Sequence, residues 1–208
     1  MIPLDTLAAF FVASIVLALA PGPDNIFVLT QSTLRGRAAG LLVMLGLCTG
    51  LIVHTAAVAF GVAAIFQASA IAFTALKLAG AAYLLYLAWL SFRANAEDIR
   101  GEAREALSGA QLYRRGIIMN ITNPKVSIFF LAFLPQFADP ARGSLTPQML
   151  LLGLVFIVAT ILVFGGIALA AGTLGQWLGK SARAQRIMNR IASLVFVALA
   201  IRLATVER

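Results

Sequence analysis

The stretch Ala20-Pro21-Gly22-Pro23-Asp24-Asn25 decides how this chain is read. An apolar run, Leu7 to Ala20, leads into it, and a second, Ile26 to Leu34, leads out. Two prolines and a glycine end a helix, because proline has no amide hydrogen to donate and its ring clashes with the preceding turn. One hydrophobic segment is therefore broken in its middle, and the break carries a carboxylate. In water such a stretch is a loop. In a bilayer the freed backbone groups and the acid are both costly, and intramembrane acids mark substrate and proton paths.

Composition places the stretch in a bilayer. The 208 residues are 61% hydrophobic and 12% charged, against about 25% charged in a soluble domain, and mean hydropathy is +0.95. Charges are segregated, leaving long runs nearly free of them. This is the pattern of an all-α integral membrane protein, one transmembrane domain over residues 1–208. The net charge of +8 does not indicate nucleic acid. The basic residues gather in short loops, where they orient a membrane protein. Cys48 stands alone, which excludes an internal disulfide and a two-thiol relay within the chain. His54 is also single and has no ligand-spaced cluster beside it, so no metal or other cofactor is expected. Ala18-Leu19-Ala20 has the form of a signal-cleavage site. No Lys or Arg precedes the apolar run, however, and proline follows at once, so the first helix is expected to be retained.

Six spans are expected, each near or above the roughly 20 residues that cross a hydrocarbon core. The first runs from Leu4 to Ala20, breaks, and resumes to Leu34. The second runs from Ala39 to Ile65 and contains Gly46-x-x-x-Gly50, a spacing that lets helices approach closely. A tight hairpin near Gln67 to Ser69 leads to the third, Ala70 to Phe92. Residues 93–115, with Glu97, Asp98, Glu102 and Glu105 among their arginines, form a solvated connector. The fourth span runs from Gly116 to Leu134. A loop from Pro135 to Pro147 leads to an uncharged fifth, Gln148 to Ala171, whose Gly165-Gly166 reads as a close-packing pair. A basic connector, Lys180 to Arg190, precedes the sixth, Ile191 to Val206. The halves are thus 1–92 and 116–208.

Lys and Arg set the orientation. Arg35, Arg37, Arg93, Arg100, Arg104, Arg114, Arg115, Lys180, Arg183, Arg186 and Arg190 follow the first, third and fifth spans. Only Arg142, Arg202 and Arg208 belong to the other side. Both termini are expected outside, with the basic loops in the cytoplasm.

Asn123-Pro124 reads as a second helix start within a span, since Asn is a good N-cap and proline is favoured at the first helical position. Pro23 plays that part after Gly22. A charged residue follows each restart, Asp24 in the first span and Lys125 in the fourth. Asp24 lies 11 residues before Arg35, and Lys125 lies 10 residues after Arg115. Both therefore sit roughly 15–17 Å from the cytoplasmic ends of their helices, near the middle of a core about 30 Å thick. Unlike charges at one depth can pair and offset each other's burial. The first and fourth spans run in opposite directions. Broken helices at matching places in two inverted three-helix halves point to a transporter binding site. The bland reading is an Asp24–Lys125 ion pair that only locks the halves together.

At these residues the chain resembles the LysE/RhtB family of amino-acid exporters. The resemblance rests on Ala20-Pro21-Gly22-Pro23-Asp24, Lys77-x-x-Gly80-x-x-Tyr83-Leu84, Asn123-Pro124-Lys125 and Leu134-Pro135-Gln136-Phe137. It covers nearly the whole chain. It implies a bacterial inner-membrane carrier that exports amino acids or related metabolites, driven by the proton gradient, with no single substrate fixed. It also favours Lys77 as a counter-charge for a substrate carboxylate or an outer gate, beside the alternative that Lys77 snorkels.

The candidate substrate-binding set is Asp24, Asn25, Lys77, Asn120, Asn123 and Lys125, with Pro21, Gly22, Pro23 and Pro124 as the helix breaks. Asn25 and Asn120 line the cavity or satisfy freed backbone. His54 reads as a hydrogen-bonded packing residue, Arg202 as snorkelling outward, and Tyr83, Tyr86 and Trp89 as packing or interfacial anchors. An intramembrane enzyme would need a nucleophile and base, paired thiols or clustered histidines, and none is evident. A channel or structural subunit is the remaining alternative, although the polar residues fall at two breaks rather than along one face. The expected partners are a small molecule and the lipid bilayer, and a homo-oligomer is compatible with the sequence.

Overall fold

Prolines break the chain where the sequence places them. α1 (Leu4–Leu19) ends at Ala20, and α2 (Pro23–Arg35) restarts after a bend of 63°. α5 (Gly109–Thr122) and α6 (Pro124–Ile128) meet at Asn123, and this pair is bent by 51°. Beyond α6 the chain continues as a π-helical turn, Phe129–Phe133, and a 3₁₀ turn, Leu134–Phe137. The unbroken helices are α3 (Arg37–Ala56), prolonged by a π-helical turn at Ala57–Val62, α4 (Ala70–Arg93), α7 (Leu145–Lys180) and α8 (Ala182–Thr205). This computed structural model describes residues 2–62, 70–94, 107–180 and 182–205. The expected hairpin at 67–69 and the acidic part of the connector, including Glu97 to Glu105, lie outside the described residues. Four helices are long and apolar enough to cross a membrane, and counting each bent pair as one span gives six. The protein is an all-α multi-pass membrane protein.

Several helix ends differ from expectation, each for a local reason. The fourth span begins at Gly109 rather than Gly116, because Ser108 and Gln111 form a reciprocal capping box. Arg114 and Arg115 are therefore helical, not part of a connector. α7 starts at Leu145, ahead of Gln148, whose side chain turns back to accept from Asp139 N at 3.0 Å and donate to Asp139 O at 2.9 Å. The expected basic connector, from Lys180 to Arg190, is helical apart from residue 181, which is outside the described set. Charges there mark the water boundary, but Ala, Gln and Arg are good helix formers, and residues 182–190 contain no proline or glycine. Between α2 and α3, Gly36 turns the chain at φ 86°, in the left-handed region that a Cβ disfavours.

In lipid, helices associate through close packing rather than burial from water. α3 crosses α5 at Gly46 and Gly116. A Cβ on Gly46 would collide with the Tyr113 carbonyl and lie 3.0 Å from Gly116 Cα, and one on Gly116 would collide with the Val43 carbonyl. Gly50 lies against Asn120, 2.7 Å from its Oδ1 on the same construction. Gly46-x-x-x-Gly50 is thus a contact face. Gly165-Gly166 is not the expected one: Gly166 faces open space, and Gly165 has only Met44 Sδ at 3.6 Å. α7 packs on α1 and α2 as α3 packs on α5, α4 pairs with α8, and α3 with α7. Exchanging the two halves maps these pairings onto one another. A second packing centre joins Phe10, Phe129, Phe130, Phe133, Phe137 and Phe156, with ring centroids 4.8–6.4 Å apart.

Candidate functional site

Breaking a helix exposes two unlike ends. The last carbonyls of α1 carry partial negative charge, and the first amides of α2 carry partial positive charge. Lys125 lies on the negative end. Its Nζ donates to Ala20 O at 3.0 Å and to Leu17 O at 3.4 Å. Asn25 completes this end, Nδ2 donating to Ala18 O at 2.7 Å. Asp24 lies on the positive end, in the first turn of α2, where Gly22 supplies no side-chain cap. Gly22 is extended, so its smallness serves space rather than torsion: a Cβ there would stand 3.2 Å from Lys125 Nζ.

The two charges do not form a direct ion pair, which removes the bland reading of an Asp24–Lys125 lock between the halves. Asn123 stands between the breaks. Its Nδ2 donates to Asp24 Oδ2 at 2.8 Å, and its Oδ1 accepts from Lys125 N at 3.0 Å, capping α6. Asn123 O also takes the amides of Val126 and Ser127 at 3.1 and 3.0 Å. The α6 start is therefore internally satisfied, whereas the α2 start has no side-chain cap. Asp24, Asn123 and Lys125 are all buried, at 2%, 4% and 7% exposure.

A cavity of about 10 Å³ lies between the breaks, the space about one water occupies. Its polar wall is Asp24, Asn120, Lys125 and Thr160, and Phe156 and Phe164 from α7 face them. This volume is too small to hold an amino acid. On one side Phe156 packs against Phe129, tilted, and Phe130, edge to face, with centroids 5.2 and 5.1 Å away. On the other side Arg115 lies 5.0 Å over the Phe27 ring, and Arg35 Nη1 donates to Leu107 O at 3.1 Å.

The structure thus brings Asp24, Asn120, Asn123 and Lys125 together. Asn25 stitches the first break and is not part of the cavity wall. Lys77 is half-buried on α4, away from the cavity. His54 Nε2 donates to Asn120 O at 3.2 Å and its ring lies 5.5 Å from Phe130. Arg202 is exposed and stands 4.6 Å over the Phe137 ring. Thr160 escaped the sequence reading because α7 carries no charge or break near it. The available signal was depth: it lies 12 residues after Gln148 and 11 before Ala171, at mid-span.

Paired helix breaks that hold buried charges beside a small cavity define a polytopic membrane protein of the broken-helix type. The chain belongs to the LysE-type translocator family, whose model matches residues 15–207. It is 35% identical over 198 residues to the homoserine/homoserine lactone efflux protein of Salmonella typhi, covering 95% of each chain. It is 34% identical over 200 residues to an uncharacterized membrane protein of Vibrio cholerae, covering 96% of each. It is 26% identical over 199 residues to the leucine efflux protein of Salmonella choleraesuis, covering 95% of this chain and 94% of the relative. No solved structure gives a significant match.

Proposed function

We propose that this protein is a secondary carrier that exports a small amino acid or a related amine across the bacterial inner membrane. The observation that carries the proposal is the separation of Asp24 and Lys125. Two buried unlike charges border one cavity without a direct bond between them: Asn123 donates to Asp24, and Lys125 donates to the last carbonyls of α1. A zwitterion can bridge such a pair, its ammonium meeting Asp24 and its carboxylate meeting Lys125 and the uncapped start of α2. Homoserine, its lactone and leucine, named for the relatives, share an ammonium beside a carbonyl carbon.

Transport requires the closed cavity to open to each side in turn. The aromatic cluster around Phe129, Phe130 and Phe156 acts as the outer barrier. The Phe27–Arg115 contact belongs to the inner one. The two three-helix halves act as inverted repeats that rock about the breaks, a reading supported by their exchangeable packing. Asp24 carries the coupled proton, and both termini face the periplasm.

The test is counterflow of radiolabelled homoserine and leucine in proteoliposomes, beside Asp24→Asn and Lys125→Met at matched incorporation. Saturable counterflow abolished by both substitutions supports the carrier and its site. Normal transport by well-incorporated variants removes the site, and unsaturable conductance removes the carrier.

A further inference from the structure

Hydroxyls within these helices generally turn back onto their own backbone. Ser14 donates to Phe10 O at 2.7 Å, Ser32 to Val28 O at 2.7 Å, Thr55 to Leu51 O at 2.7 Å and Thr122 to Ile118 O at 2.8 Å. Thr49 and Thr33 do the same, at 3.0 and 2.8 Å. This bond is the default for a helical hydroxyl without water. Thr160 departs from it. It is 2% exposed, and its Oγ1 makes no hydrogen bond, the only such buried hydroxyl among the described residues.

Two other cavity residues share this state. Asp24 Oδ1 and Asn120 Oδ1 are buried without a partner, although Asp24 Oδ2 is bonded to Asn123. The remaining unpartnered oxygens, on Asn25 and Gln31, belong to residues outside the cavity wall. So three residues from three separate elements, α2, α5 and α7, border one cavity, and each has a buried oxygen without a partner, that of Asn120 lying beside Gly50. A buried polar atom without a partner is a cost that native structures rarely keep without a use. A primary ammonium carries three N–H donors in a compact, tetrahedral array.

We propose that Asp24, Asn120 and Thr160 together form a three-oxygen receptor for the primary ammonium group of the substrate, with Thr160 the residue that senses whether the third N–H is present. This rests on the carrier reading above and deepens it. Asp24 supplies charge, while the neutral oxygens of Asn120 and Thr160 count hydrogens. A site built to hydrogen-bond a donor rejects analogues that lack it far more strongly than an apolar pocket rejects an extra methyl. The receptor therefore discriminates against N-methylated amino acids even though their charge is unchanged.

The experiment is counterflow by the full chain in proteoliposomes, with leucine, homoserine, N-methylleucine and N,N-dimethylleucine as probes. It compares the intact chain with Thr160→Val and Thr160→Ser. The intact chain is expected to favour leucine or homoserine over their N-methylated forms by about 10-fold or more. Thr160→Val, which keeps the shape and removes the hydroxyl, should lower transport of the primary amine several-fold and bring the ratio to within about 2-fold. Thr160→Ser should restore the ratio.

The second readout is the thermal midpoint of the purified variants without substrate. Thr160→Val should match or exceed the intact chain, because the lost hydroxyl has no partner in the closed state. A Thr160→Val that lowers the midpoint and leaves the ratio intact makes Thr160 structural and overturns the receptor. An unchanged ratio with robust leucine transport overturns the receptor alone. Absence of counterflow for every probe overturns the carrier reading and the receptor with it.

Discussion

Asn123→Ala tests whether one amide ties the two breaks together. The substitution removes two things. It deletes the Nδ2 hydrogen bond to the buried Asp24 carboxylate, 2.8 Å long, and a bond to a charged group is worth about 1.5–3 kcal/mol. It also deletes the side-chain cap on the α6 start, typically worth about 1 kcal/mol. Together the loss is about 2.5–4 kcal/mol, a large share of the 5–15 kcal/mol that holds a typical fold. Asn123→Asp separates the two contributions. It keeps an oxygen to accept from Lys125 N but turns the donor facing Asp24 into a second carboxylate, so it should be at least as harmful as Asn123→Ala. The assay is denaturant unfolding of purified protein in detergent, run as a double-mutant cycle with Asp24→Ala, which removes the acceptor. If the bond is real the two single effects are not additive, with a coupling of about 1.5–3 kcal/mol. Additive effects within about 0.5 kcal/mol would show that the bond contributes nothing, and the description of Asn123 as the link between breaks would fail.

Gly22→Ala should leave membrane levels near normal, since the backbone is extended, yet cut counterflow by about tenfold or more as its Cβ crowds Lys125 Nζ at 3.2 Å; quantitative blotting beside transport checks this. Gly46→Leu and Gly116→Leu should abolish folded protein, because each Cβ already meets backbone across the α3–α5 crossing, and size-exclusion profiles would reveal it. Gly166→Ala, facing open space, should instead raise stability by about 0.4–1 kcal/mol in the same unfolding assay. Phe130→Ala should cost about 3–5 kcal/mol and, on the gating proposal, leave the cavity accessible from outside. Thiol labelling at Thr160→Cys in a Cys48→Ser background reads that access, and protection equal to that of the Phe130 parent would contradict the barrier.

Proline and charge made much of this fold legible. Pro21, Pro23 and Pro124 act through their own backbone, so their effect needs no knowledge of neighbours. Arginines mark the membrane boundary for the same reason. They do not mark helix ends, which is why residues 182–190 are helical where a connector was expected. The start of the fourth span was readable in principle, since Ser108-x-x-Gln111 is a capping box, but the polar composition around it suggested a linker. Gly46 and Gly166 look alike in sequence and differ only in what stands opposite them. The same limit applies to Asn123 and Thr160. A cap at Asn123 follows from Asn-Pro, but its second bond, to a residue 99 positions away, depends on how the halves pack. Thr160 is one threonine among many until its unmade backbone bond is seen.

The absence of a direct Asp24–Lys125 pair is informative. Reasoning from charges alone, Asp24 and Lys125 at one depth should join, because a direct pair recovers part of the cost of desolvating both. That reasoning omits the helix ends that the breaks create. The cation bonds the α1 carbonyls and the anion, at the start of α2, accepts from the Asn123 amide, so neither must travel to the other for a first partner. The difference matters for a carrier. A closed ion pair must be broken before a zwitterion can bind, and the substrate would have to repay that attraction. Charges held apart by Asn123 and by the two helix ends present a preformed opposite for the zwitterion, and the main cost of binding becomes opening the cavity. Lys125→Arg retains the charge, but its larger planar head cannot occupy the space beside Gly22 that the ammonium fills, and so it should transport poorly even where the protein folds.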